Sequence, residues 1–152
     1  MGIINPEDNY MKTFYFFGDS VTLGVNDAPA GGWPARFAGR AEQNGAATPP
    51  DTFYNLGVRR NSSRMIMARW EQEYLARAME GSGPRFIFCF GTVDMAAPNG
   101  IPNVPVGEST ANMRDIMLKA SGYGPAVMIS APPVRNREHD LRLQALCRGY
   151  AS

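Results

Sequence analysis

The 152-residue chain is 44% hydrophobic and 19% charged, which excludes a largely disordered or fibrous chain and leaves room for one domain around one core, spanning 1–152. Fifteen basic and 14 acidic side chains leave a formal charge of +1, so no net charge favours nucleic acid or an anionic membrane as the main partner. Apolar runs such as Phe86 to Phe90 are strand length, far below the roughly 20 residues that span a bilayer, so no membrane association is expected.

The first twelve residues, Met1 to Lys12, are polar and lack the basic-then-apolar order of a secretory leader. Cys89 and Cys147, with His139 as the single histidine, are too few for a four-ligand zinc site, and no metal or cofactor is expected. Cys89 falls in an apolar run and Cys147 on a helical stretch, so both read as reduced, buried thiols, which fits a cytoplasmic location.

Strands and helices alternate along the chain. Thr13 to Phe17 is a β-branched and aromatic run ending at Gly18, the pattern of a buried strand that feeds a loop. Trp33-Pro34 opens a helix that Ala35 to Gln43 continues and Gly45 stops. After the break at Thr48-Pro49-Pro50-Asp51, Phe53 to Leu56 forms a second strand, and Asn61 or Ser62 caps a helix running to about Met79. Ile66, Trp70, Tyr74 and Ala78 recur at i+4 on its apolar face, with Met67, Leu75 and Met79 beside them.

Gly81 to Pro84 ends that helix, and Arg85 to Phe90 is apolar without alternation, as a strand covered on both faces should be. A proline-rich loop, Met95 to Pro105, precedes a helix from Gly107 to Ala120 that offers Met113, Ile116, Met117 and Ala120 to the core. Ala126 to Ser130 is a fourth strand, and Glu138 to Arg148 a last helix using Leu141, Ala145 and Leu146. Four such alternations predict an α/β fold with parallel strands and helices on both faces. In such sheets the ligand site lies at the carboxyl ends of the strands: Gly18-Asp19-Ser20, Gly57, Gly91 to Asp94, and Ala131-Pro132-Pro133.

A serine at the mouth of a sheet can act as a nucleophile once a base removes its proton, and Ser20 holds that position; Asp19 and Ser20 could equally cap the loop or helix that follows. Asn55-Leu56-Gly57 ends the neighbouring strand with an unobstructed backbone N–H suited to an oxyanion. Phe17-Gly18-Asp19-Ser20-Val21, Asn55-Leu56-Gly57 and Gly91-Thr92-Val93-Asp94, in that order, resemble the SGNH, or GDSL-type, hydrolase family over nearly the whole chain, and Gly57 to Ser63 resembles its small bacterial esterases.

The resemblance implies a flavodoxin-like three-layer α/β/α sandwich, with the strands present here in the order 2-1-3-4 of a five-stranded sheet. It implies hydrolysis of small acyl esters with Ser20 as nucleophile and the N–H groups of Ser20 and Gly57 as oxyanion donors. Asp19 and Asp94 become supporting residues that tune loops and hydrogen bonds. Two departures stand out. The asparagine of the family's Gly-x-Asn-Asp block is Val93, which has no donor, and the Asp-x-x-His block after the fifth strand is absent.

The expected consequence is a domain without its C-terminal segment, either a weakened hydrolase or an inactive relative that binds a ligand or partner in the former site. His139 reads as a solvated surface imidazole whose neighbour Asp140 points elsewhere. Loss of the fifth strand would leave the fourth as an apolar edge, with self-association as one outcome. A flavin module fits Asp19 to Gly24 loosely, and a phosphoacceptor module lacks a suitable lysine, since Lys12 and Lys119 are the only two.

Overall fold

In the computed structural model, residues 10–45 and 49–152 are described; the leader reading of 1–9 and the Thr48 end of the proline break lie outside them. The sheet has four parallel strands, β1 (Lys12–Gly18), β2 (Thr52–Gly57), β3 (Gly83–Cys89) and β4 (Ala126–Ile129), in the order β2-β1-β3-β4. The expected class and strand order both hold. Helices are α1 (Ser20–Leu23), α2 (Gly32–Gln43), α3 (Ser63–Leu75), α4 (Thr92–Met95), α5 (Val106–Ser121) and α6 (Arg137–Ala151), with a 3-10 turn at Ala28–Ala30.

β1 is central, and its side chains serve both faces. Tyr15 and Phe17 point into the main core with Phe86, Phe88, Ile66, Trp70, Met113 and Ile116, which joins β1 and β3 to α3 and α5. Trp70 meets Phe17, Phe86 and Phe88 edge-on, the favoured geometry for aromatic pairs. Tyr15 is fully buried and its hydroxyl donates to the Arg77 carbonyl at 3.1 Å; burial pushes its pKa up to about 12. On the opposite face Phe14 and Phe16 pack against Phe37, and Phe16 meets Trp33 edge-on, so α2 covers β1 and β2 there.

Two helical faces differ from expectation. α3 stops at Leu75, and Ile66, Trp70 and Tyr74 alone occupy its core stripe, while Met67, Leu75 and Met79 are exposed. The bulk of Trp70 and Tyr74 fills the space above the sheet, and residues about 100° away on the helix face water. In α6 the buried residues are Leu143 and Leu146, with Cys147 and Tyr150 beside them, while Leu141 and Ala145 are exposed. α6 docks on α4 and α5 at the carboxyl end of the sheet, and the stripe at i, i+3, i+4 and i+7 from Leu143 is the one that meets Met95 and Phe90. Cys89 is buried, which pushes its thiol up to about 12, and Cys147 is half-buried; both are free.

Candidate active site at the carboxyl edge of the sheet

Ser20 is the first residue of α1, directly beyond the central strand, and it is partly exposed. Asp19 caps that helix: its Oδ1 accepts the Val21 N–H at 2.9 Å. The Ser20 N–H lies in the first turn, where backbone N–H groups have no intrahelical acceptor and can serve an anion. Asp19 is buried, and its Oδ2 has no hydrogen-bond partner among the described residues. Burial raises its pKa, opposed by the Val21 N–H and reinforced by the negative charge of Asp94.

Two glycines let α1 lie directly on the strand ends. A Cβ on Gly18 would sit 2.1 Å from Thr22 Oγ1 and 2.3 Å from the Cys89 carbonyl; one on Gly57 would sit 2.3 Å from the Leu23 nitrogen. The N–H of Gly57, expected to be free, instead donates to Asn55 Oδ1 at 3.1 Å, and Asn55 Nδ2 donates to the Thr22 carbonyl at 2.9 Å. Gly57 is therefore needed for close approach, and its N–H is already engaged. Asn55, read from the sequence only as a strand residue, ties β2 to α1.

Asp94 is fully buried with both oxygens occupied. Oδ1 accepts the Ser63 N–H at 2.8 Å, at the start of α3, and Oδ2 accepts the Ser109 hydroxyl at 2.5 Å. Ser109 Oγ also lies 2.7 Å from the Tyr150 hydroxyl, and Asn112 Nδ2 donates to Ser63 Oγ at 3.0 Å. One carboxylate thus joins α3, α5 and α6 beneath the site. Burial pushes the Tyr150 phenol well above its usual range, so it stays protonated. Arg69, on what the sequence presents as a polar face, reaches the Gly18 carbonyl with Nη2 at 3.2 Å and Asn61 Oδ1 with Nε at 2.7 Å.

A cavity of about 560 Å³ is lined by Arg60, Ser62, Arg64, Met65, Thr92, Val93, Ala96, Asn103 and His139; Asp19, Ser20, Gly57 and Asp94 are not among its lining residues. Val93 presents its apolar side chain there, and its carbonyl accepts Asn103 Nδ2–H at 2.8 Å. Arg64 is committed to Glu108, with Nη2 to Oε2 at 2.6 Å, which lowers the Glu108 pKa. His139 corrects the sequence reading. It is half-buried on the cavity wall, its Nε2 lies 2.7 Å from the Thr92 carbonyl, and its backbone N–H donates to Asn136 Oδ1 at 2.9 Å. Asp140 turns away as expected, accepting the Val134 N–H at 3.0 Å and Gln144 Nε2–H at 2.7 Å.

No protein-family model and no curated protein sequence matches the chain. Solved structures do. An acetylxylan esterase from Geobacillus stearothermophilus superposes with a TM-score of 0.71 at 18% identity, covering 95% of this chain and 72% of its own. A lipase/acylhydrolase from Enterococcus faecalis gives 0.72 at 18% identity, with 93% and 70% covered. A protein from Desulfitobacterium hafniense DCB-2, described as lipolytic and of the G-D-S-L family, gives 0.70 at 18% identity, with 92% and 70% covered. The four parallel strands in the order 2-1-3-4, with their flanking helices, give this chain the fold of the GDSL hydrolases.

Proposed function

We propose that the chain is a GDSL-type serine hydrolase that acts on small acyl esters through Ser20. The observation that carries this reading is the placement of Ser20: first residue of α1, directly past the central strand at the carboxyl end of the sheet, in the turn that the Asp19 carboxylate caps. Ser20 Oγ attacks the acyl carbon, and the Ser20 N–H receives the oxyanion.

The oxyanion site is weak in this reading. Val93 offers no donor, and the Gly57 N–H becomes available only when the Asn55 amide releases it. Loss of one donor costs about 100- to 1,000-fold in turnover, so slow hydrolysis is the expected behaviour. Those same two features favour a second reading, a non-catalytic relative that binds a ligand in the cavity.

Hydrolysis of p-nitrophenyl acetate by the chain, run beside Ser20→Ala and Val93→Asn, separates the two. Turnover that vanishes in Ser20→Ala and rises about tenfold or more in Val93→Asn supports the hydrolase. Turnover no higher than that of Ser20→Ala, unchanged by Val93→Asn, favours the binding protein.

A further inference from the structure

We propose that the cavity at the start of α3 binds a small organic anion, a carboxylate carrying an apolar group, and that Arg60, Ser62 and the first turn of α3 hold it. The assignment does not rest on the hydrolase reading, since Ser20 is not among the residues that line this cavity.

The first turn of α3 is left open. A helix has no intrahelical acceptors for its first N–H groups, and a capping side chain ordinarily takes one of them. Ser62 stands at the cap position yet makes no cap bond, and the Ser63 N–H goes to Asp94 Oδ1 at 2.8 Å. The N–H groups of Arg64 and Met65 have no backbone acceptor among the described residues. Ser62 is only 7% exposed and lines the cavity, and its hydroxyl has no hydrogen-bond partner among the described residues. A buried serine that stands where it could cap its helix, and bonds nothing, is a donor left for an incoming ligand.

Charge selects an anion there. α3 spans 13 residues, so its aligned peptide dipoles place partial positive charge on that first turn. Arg60 lines the same cavity and pairs with none of the described carboxylates, whereas Arg64 is paired with Glu108. The Arg60 backbone is left-handed, with φ 63, so an arginine occupies a turn position that suits glycine. No acidic side chain is among the lining residues.

The remaining wall defines the rest of the ligand. Met65, Val93 and Ala96 are apolar, while Asn103 and His139 are engaged by the Val93 and Thr92 carbonyls. A carboxylate accepts from N–H and O–H donors with both oxygens and matches a guanidinium, and its apolar group lies on the methionine, valine and alanine side. Inorganic phosphate has the charge without the apolar part, and a neutral alcohol has the reverse.

Titration with sodium benzoate, followed by calorimetry and by the backbone amide resonances of Arg64 and Met65, tests the site, with benzyl alcohol and inorganic phosphate as comparators. Benzoate should saturate, shift those amides and bind about tenfold or more tighter than either comparator. Arg60→Gly removes the guanidinium where glycine suits the backbone, so it should weaken benzoate about tenfold while melting close to the parent. Ser62→Ala should weaken it by about fivefold. Ser20→Ala should bind benzoate as the parent does; loss of binding there would move the ligand to the Ser20 turn and overturn the assignment. No saturation, a comparator bound as tightly as benzoate, or full affinity in Arg60→Gly overturns it as well. A chain that binds benzoate in this way but hydrolyses no ester sinks the hydrolase reading alone, and one that hydrolyses through Ser20 without binding benzoate sinks this assignment alone.

Discussion

Asp19 shows how one residue can serve position and reactivity at once. Its Oδ1 holds the first turn of α1, and so holds Ser20, while Oδ2 is buried without a partner among the described residues. Burial raises its pKa, so between the unfolded and folded values the native state binds more protons than the unfolded chain. Stability from this group is therefore lost as pH rises through that window, and the charged form above it carries the cost. Asparagine is an equally good cap without the charge. Asp19→Asn should melt higher than the parent at neutral pH, and the advantage should shrink as pH falls through the raised pKa. Melting curves across acid to neutral pH check this; a variant that melts lower at neutral pH would show that the carboxylate is stabilised by a charge interaction outweighing its burial.

At the scale of elements, the site depends on how tightly α1 sits against the ends of β2 and β3. Gly57→Ala would place a methyl 2.3 Å from the Leu23 nitrogen, backbone against backbone, where no side chain can swing away. Overpacking of this kind costs about 1 to 3 kcal/mol, and relief comes by moving α1 and Ser20 with it. The variant should lose both thermal stability and fluorophosphonate capture of Ser20. Lost capture at unchanged stability would return the emphasis to the Gly57 N–H as an oxyanion donor. The glycines and the serine were legible because they end apolar runs, as Phe17-Gly18 and Leu56-Gly57 do.

The four-residue helices α1 and α4 were not legible, being too short for any apolar period. The Asp94, Ser109 and Tyr150 network was equally hidden, since it joins residues far apart in the chain through side-chain geometry alone. His139 belongs to the same class. Its place depends on which stripe of α6 packs, and sequence reasoning chose Leu141, Ala145 and Leu146, whereas packing keeps Leu146 and uses Leu143 and Tyr150 in place of the other two.

Across the whole molecule the sheet is covered unevenly. α3 and α5 cover one face, whereas α2 covers the other only over β1 and β2, and among the described residues β4 has no neighbour beyond it. On that second face Val127 is 53% and Ile129 41% exposed, alternating with Ala126 and Met128, which turn toward the core. An edge strand with free backbone groups and an apolar outer face invites pairing, and two copies related by a two-fold axis would pair their β4 strands antiparallel. β4 is only four residues long, so the ladder it can form is short and the association weak. The expected behaviour is a mass that rises with concentration in sedimentation velocity and returns to the monomer in Val127→Lys, since a charged edge resists pairing. A parent chain monomeric at every concentration, with the same melting temperature throughout, would mean that four edge residues bury too little surface to offset the entropy of association.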